Sequence, residues 1–485
     1  MKVVHAGFII ALAAAAGCDE QLSAPPASSG EYALRSQDPR TSYPRFVIVQ
    51  YNLQRALDNS LATDKRIDSL KLADTLGGGE PQVREAIGEL LGDAKAPDAL
   101  REGALTFLLR RDAPGLGETL MKHWPVLATN DRLREAAMGY LERNPNTQVF
   151  EGILKVWAEV PGISGVDENR YRRVVESTSK KPWVQALLDS INTPGFRAKG
   201  SAIKLLTRRV NVTELRTRIE QVPAQDPAMA ALQIFLDRFN YIPSGGPEFM
   251  AIVQASQMQR KRLPDTEKLF QFWQRSEMYA FNIRDLHLLT RLGSDPLRNT
   301  SMGRLELIAA LGKNLMTRKH VTGGVISGSS GFAMVSDRLS IADAWNLYLL
   351  DEMLSRPGMQ RAMGALAIGD RTDKRSQWGG LVMYDSGMAT AKIYEPDRMS
   401  GESDQLYVPT QRMLDDSTDC LCRFVCHFDQ AQNIKRAGVT AAELAAARDG
   451  NYCGLIVTSV SAGTFAAHYY NPRGVVVSLG IFPLK

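Results

Sequence analysis

The spacing of apolar positions along this chain changes near residue 370. From about Val47 to Arg209 apolar residues recur every three to four positions, in segments divided by Gly, Pro and Asn. This period predicts amphipathic helices. Four of the segments share a pattern of arginine, small and aliphatic residues: 83–91, 100–109, 133–141 and 196–206. We therefore expect an all-α body over the first half of the chain.

The recurring pattern resembles HEAT-like helical repeats, in which each helix pair stacks on its neighbour. Such stacks present an extended surface that suits a protein partner. An irregular all-α domain fits the same residues. Residues 225–320 and 338–367 continue the helical period, and the Gly/Ser-rich segment 321–331 interrupts it. That interruption predicts a domain boundary or a loop.

After residue 370 the period becomes two, which is typical of strands. Four stretches rich in Val, Ile, Tyr and Phe are predicted as strands: 378–391, 423–428, 453–458 and 464–479. Between the second and the third, residues 440–448 predict a helix. Thr440 would be its N-cap and Glu443 would complete a capping box. The C-terminal region is therefore predicted to be α+β.

The resulting fold class is a multidomain protein, with an all-α, HEAT-like N-terminal body followed by a small α+β C-terminal domain. The predicted segments are a lipoprotein signal peptide (1–17), a flexible tether (18–45), a helical repeat-like domain (46–220), a second helical region ending in the Gly/Ser-rich linker (221–332), a helical connector (333–369) and the α+β domain (370–485).

The N-terminus carries a charged start, an apolar run and small residues before a cysteine. Lys2 precedes the apolar residues 3–16, and Ala15-Ala16-Gly17 leads to Cys18. This order resembles a bacterial lipoprotein signal, although that family usually has Leu at the place of Ala15. The resemblance implies a lipid-modified Cys18, a membrane attachment through that lipid, and a place in the cell envelope, at the outer membrane, with the inner membrane as the alternative. An ordinary secretory signal or a short buried helix are the alternatives.

The charge balance bears on nucleic-acid binding, and the positions of the cysteines bear on disulfides and metal binding. Lys and Arg number 58 against 53 Asp and Glu, a balance that gives no nucleic-acid signal. Apart from Cys18, the cysteines all lie near the C-terminus: Cys420, Cys422, Cys426 and Cys453. In an oxidising compartment four cysteines can form two disulfides with three connectivities. The alternative is a zinc cluster built on the closely spaced cysteines and the histidine that follows them.

One group of residues in the α+β region could hold a metal. His427 and Asp429 lie two apart on a predicted strand, so their side chains should share a face. Glu443, one turn into the next helix, could supply a third ligand to a divalent metal such as zinc, and Thr440 could orient it. The alternative is a structural histidine on a half-buried strand.

These residues, together with Gly379-Gly380-Leu381-Val382 at the first strand, resemble the JAB/MPN family over residues 370–485. The resemblance implies a zinc ion at His427, Asp429 and Glu443, with Thr440 supporting it and Gln377 in the place of the general base. The spacing from Asp429 to Thr440 is longer than in the family, and three residues differ from the family pattern. Asp429 replaces a His, Glu443 replaces an Asp, and Gln377 replaces a Glu that accepts a proton. Catalytic roles for Gln377 and Thr440 are therefore weakly supported.

The layout of lipid end, helical body and distinct C-terminal domain resembles lipoprotein polymorphic toxins, including the myxobacterial swarm-inhibition toxins. It implies an effector delivered to neighbouring cells, with a transport receptor or an immunity protein as partner on the helical surface. One alternative is a resident envelope scaffold that binds a partner. The other is a JAB-like zinc metallopeptidase.

Overall fold

The computed structural model describes residues 24–35, 43–112, 115–159, 165–321, 332–372, 377–395, 407 and 409–485. The predicted signal peptide, Cys18 and the Gly/Ser-rich residues 322–331 lie outside these ranges, as do residues 18–23 and 36–42 of the predicted tether. Within the described ranges, no helix combines the length and the apolar character that a bilayer crossing requires.

The chain forms two compact units, Met1–Val210 and Asn211–Lys485. The predicted segments 221–332, 333–369 and 370–485 all fall within the second unit. The cysteine-rich end therefore packs together with the helices that precede it, and we refer to the two parts as the N-terminal unit and the C-terminal unit.

The described part of the N-terminal unit is helical, which confirms the predicted helical body. Its helices are α1 (Ser29–Arg35), α2 (Arg45–Leu57), α3 (Thr63–Gly77), α4 (Pro81–Gly92), α5 (Asp98–Arg110), α6 (Leu116–Lys122), α7 (Trp124–Leu127), α8 (Asp131–Arg143), α9 (Thr147–Glu159), α10 (Gly165–Ser179), α11 (Trp183–Asn192) and α12 (Lys199–Arg209).

Each of these helices packs mainly on helices close to it in sequence, such as α2 on α3 and α4 on α5. Aliphatic side chains fill most of the core, and an aromatic group joins α9, α10 and α11. There Trp157 stacks on Tyr171 at 6.1 Å between ring centroids and meets Trp183 at 5.6 Å. Burial of these large rings contributes much of the hydrophobic stabilisation of this part of the unit.

The C-terminal unit begins with helices and ends with a sheet. Its helices are α13 (Val212–Gln221), α14 (Pro227–Phe239), α15 (Gly246–Met258), α16 (Leu263–Glu277), α17 (Leu286–Gly293), α18 (Arg304–Thr317), α19 (Phe332–Val335), α20 (Ile341–Ser355), α21 (Pro357–Thr372), α22 (Gln411–Asp416) and α23 (Ala441–Gly450). Short 3-10 turns occur at Ile283–Asp285, Ser336–Arg338, Ser417–Asp419 and Ile434–Arg436.

Helix α20 lies at the centre of the C-terminal unit. Twelve of its fifteen residues are buried, and it packs against α18, against α21 and against strands of the sheet. A helix that buries residues on nearly every side must be enclosed by other elements. This enclosure explains why helices and sheet form a single compact unit.

The sheet contains the strands β1 (Trp378–Asp385), β2 (Met388–Tyr394), β3 (Cys422–His427), β4 (Gly454–Ser461), β5 (Thr464–Tyr470) and β6 (Val476–Pro483). Their order across the sheet is β2-β1-β3-β4-β5-β6. Only the β3–β4 pair is parallel. Helix α23 provides the crossover that a parallel pair requires.

The predicted first strand, 378–391, is wrong in its extent. The structure divides it into the antiparallel strands β1 and β2, joined at Ser386 and Gly387. Both turn residues have positive φ, 50° and 81°, as the tight hairpin turn that matches strand twist requires. The sequence Asp385-Ser386-Gly387 is the signal that marks this turn.

Candidate functional site

His427 ends β3 and faces helix α23. Its side chain is buried, and Nδ1–H donates to the carbonyl of Arg436 at 3.2 Å. Burial, followed by the charge of Arg436, lowers the pKa of His427 to about 4. The ring is therefore neutral at physiological pH, and Nε2 keeps an unprotonated lone pair. This is the state in which a histidine can bind a metal.

Thr440 and Glu443 form the predicted capping box at the start of α23, which is confirmed. Thr440 Oγ1 accepts from the Glu443 backbone N–H at 3.1 Å, and Glu443 Oε2 accepts from the Thr440 backbone N–H at 2.6 Å. Burial raises the pKa of Glu443. The other carboxylate oxygen, Oε1, lies 3.9 Å from His427 Nε2, too far for a hydrogen bond.

Asp429 does not lie on the strand, which corrects the prediction that it shares a strand face with His427. β3 ends at His427, and Asp429 follows in a bend. Its Oδ1 accepts from Asn433 Nδ2 at 2.7 Å and lies 3.4 Å from Arg436 Nη1. Because the period of two applies only within a strand, the end of β3 turns this carboxylate towards the loop 429–436.

Arg436 interacts with His427, Asp429 and Glu443. Its carbonyl fixes the His427 ring, its guanidinium pairs with Asp429, and its charge lowers the pKa of His427 and opposes the burial effect on Glu443. A cationic side chain thus occupies the neighbourhood in which the family resemblance implies a metal ion. The sequence analysis missed this residue, because its position depends on the path of a loop.

The predicted metal ligands do not form a complete set. Two donors, His427 Nε2 and Glu443 Oε1, face each other, whereas Asp429 is held by Asn433 and Arg436. Across the described part of the chain, no three His, Cys, Asp or Glu side chains are grouped so that they could hold a metal ion. The residues present therefore do not fit the zinc ion that the resemblance implies.

Gln377 lies at the same end of the sheet. β1 and β3 are antiparallel with Trp378 opposite Cys426, so Gln377 precedes that pair and lies across from His427. Its side chain is buried. The tertiary structure thus brings Gln377, His427, Thr440 and Glu443 together, but an amide cannot act as a general base.

The four C-terminal cysteines are buried free thiols and not disulfides. Cys453 Sγ–H donates to the Tyr469 hydroxyl oxygen at 3.0 Å, and Cys420 Sγ–H donates to the carbonyl of Ser417 at 3.1 Å. Burial raises the pKa of both Cys420 and Cys453 to about 12. Thiols with so little thiolate are poor nucleophiles and poor metal ligands.

We expect these thiols to be inert in the folded protein. A Cys18→Ser chain, purified without reductant and treated with a thiol reagent at pH 8, should show four reactive thiols only after denaturation, because burial suppresses both access and ionisation. Colorimetric titration with and without denaturant measures this. The reduced chain, denatured, is the control, and fewer than four thiols in the denatured sample without reductant would reveal disulfides.

A buried charged group links the helices of the C-terminal unit to the sheet, and sequence analysis did not find it. Arg284, in the turn before α17, donates to Asp343 of α20 at 3.1 Å, and Tyr469 of β5 donates to the same carboxylate at 2.8 Å. Asp285 accepts from Tyr279 at 2.6 Å. We call these five residues the Arg284 network. They lie inside the unit, where they hold elements together.

His287 forms a second helix-to-sheet link. Its Nε2 accepts from the backbone N–H of Tyr384 in β1 at 3.1 Å, so Nδ1–H donates to Asp419 at 2.5 Å. Burial raises the pKa of Asp419, but the hydrogen bond from His287 and the charge of Arg291 outweigh it and lower the pKa to about 2. Both ring nitrogens of His287 form hydrogen bonds. The His287–Asp419 pair therefore has a structural role, and His287 has no free ring nitrogen.

Comparison of the chain with protein-family models, with curated proteins and with solved structures finds no match.

Proposed function

We propose that the protein is a lipid-anchored protein of the cell envelope that acts by binding a protein partner and not by hydrolysis. The observation that carries this proposal is the position of Arg436 beside His427, Asp429 and Glu443. The lipid anchor rests on the sequence around Cys18.

Electrostatics supports a binding role for the C-terminal unit. A divalent cation between His427 and Glu443 would lie close to the Arg436 guanidinium, and like charges at such distances repel strongly in a buried site. Removal of the third ligand by Asn433 and Arg436 weakens the site further. The amide of Gln377, in the place of the family's general base, cannot take a proton from water.

The N-terminal unit supports the same function. Its helices pack on their sequence neighbours, as helix pairs do in HEAT-like stacks. We propose that they form such a stack, whose extended surface is suited to a protein partner such as a transport receptor or an immunity protein. The delivered-effector function remains a prediction within this proposal, with binding as its mode of action.

We expect the full chain, carrying Cys18→Ser, to retain well below one zinc ion per chain after incubation with zinc and dialysis. Elemental analysis measures this content. His427→Ala should leave the content unchanged. The double variant Asp429→His with Arg436→Gln should raise it, because it restores an imidazole and removes the competing cation.

The opposite result would overturn the proposal. If the unaltered chain retained one zinc ion per molecule and His427→Ala lost it, the His427 group would be a metal centre. In that case the double variant is the comparison for His427→Ala, because it alters the same loop and keeps His427.

A further inference from the structure

The turn between α15 and α16 carries three consecutive cations at the mouth of a cleft. Arg260, Lys261 and Arg262 line this cavity of about 710 Å³, together with Arg291 from α17 and Asp419. The proposed partner-binding function does not involve this region. We call it the basic cleft.

Four cations face one carboxylate in the basic cleft, and that carboxylate is already neutralised. Asp419 accepts from His287 at 2.5 Å and from Gln259 at 3.2 Å, and pairs with Arg291 at 3.2 Å. Among the residues that the structure describes, Arg260, Lys261 and Arg262 have no ion-pair partner. The turn therefore presents an uncompensated positive charge to the cavity.

Arg291 of α17 lines the cleft beside the three cations, and its buried Nε–H has no hydrogen-bond partner in the described part of the chain. A bound acceptor that reached this donor would recover the free energy of the missing hydrogen bond. Arg291 is itself held in place by Asp385 and Asp419, so its guanidinium is preorganised.

The chemistry of this lining selects an anion with several oxygens. Guanidinium groups donate paired hydrogen bonds to phosphate oxygens, and lysine adds a point charge. A volume of about 710 Å³ exceeds what an isolated inorganic ion needs and lies in the range of small-molecule sites. From these observations we propose that the basic cleft binds a phosphate group carried by a larger molecule.

Exposed apolar side chains at the rim of the cleft indicate which kind of molecule carries the phosphate. Met258 lines the cleft and is 76 % exposed, and Met250, two turns earlier on α15, is 59 % exposed. Apolar side chains beside a basic cluster are typical of surfaces that meet phospholipid headgroups. A soluble phosphorylated compound offers the same phosphate chemistry, and the experiment separates the two sources.

The test uses the full chain carrying Cys18→Ser, so that no acyl chain contributes to binding. Calorimetric titration with inorganic phosphate and with glycerol 3-phosphate gives the affinity. Changing Arg260, Lys261 and Arg262 together to Gln should weaken binding by about tenfold or more, because charge-assisted hydrogen bonds are lost. Added salt should weaken binding by the unaltered chain.

A matched control removes the same charge elsewhere in the C-terminal unit. The exposed cations for this purpose are Lys313, Arg338 and Lys435, each changed to Gln. This variant should bind phosphate within about twofold of the unaltered chain, since screened charges outside the cleft contribute little. Thermal unfolding of both variants verifies that the fold is intact.

Sedimentation with vesicles identifies the source. If a headgroup is the ligand, vesicles of phosphatidylcholine with phosphatidylglycerol should retain the unaltered chain and the control, but not the cleft variant. Binding of the soluble phosphates without vesicle binding would assign a soluble ligand. The proposal is overturned if neither probe binds, or if the cleft variant binds as well as the control.

Discussion

Replacement of Asp343 by alanine is expected to lower the free energy of unfolding of the C-terminal unit by about 3–5 kcal/mol, the cost of removing one partner of a buried ion pair. Arg284, whose side chain is 3 % exposed, donates its clearest hydrogen bond to this carboxylate. The change also removes the acceptor for Tyr469 and for the Ser340 cap of α20.

Denaturant unfolding of the full chain, with hydrogen exchange to localise the loss to residues 211–485, measures this effect. Asp285→Asn is the matched control. Arg284 Nε lies 3.2 Å from Asp285 without a hydrogen bond, and an asparagine oxygen can still accept from Tyr279. We expect a loss below about 1.5 kcal/mol for this control. Equal losses for the two variants would contradict the central role of Asp343.

The same residue imposes a pH dependence. Burial raises the pKa of Asp343, but the charge of Arg284 and the hydrogen bonds to the carboxylate outweigh it, and the pKa is lowered from 3.8. The stabilisation is therefore present above about pH 4 and is lost as the pH falls through the folded value. Asp343→Ala should remove this part of the acid dependence.

Replacement of Cys18 by serine is expected to release the protein from membranes into the soluble fraction. The acyl group on Cys18 is the membrane attachment that the sequence predicts. Each buried CH₂ of an acyl chain contributes about 0.8 kcal/mol to membrane binding, and removal of the lipid abolishes that contribution entirely.

Fractionation of cells and incorporation of labelled palmitate measure the effect. Glu20→Gln, which leaves Cys18 intact, is the matched control and should remain in the membrane fraction. If the effector prediction holds, Cys18→Ser should also stop transfer to neighbouring cells. Continued membrane attachment of the serine variant would contradict a lipid anchor at Cys18.

Local features of the site could be predicted from the sequence, and features set by chain geometry could not. Thr440 and Glu443 lie three residues apart, and a capping box needs only that spacing and the start of a helix. Asp429 lies beyond the strand to which the period of two assigns it, because the sequence does not fix the residue at which a strand ends. Arg436 acquires its importance only when the loop 429–436 turns back to the sheet.

The sequence by itself determined which elements form, because the periods of 3.6 and two, the caps and the turn residues act over a few positions. It thus determined the helical body and the α+β end. The tertiary structure alone decided which charges meet. Arg284 pairs with Asp343 across 59 residues, and Tyr469 reaches the same carboxylate across 126. Such contacts depend on the packing of whole helices against the sheet, since no local pattern encodes a partner so far along the chain.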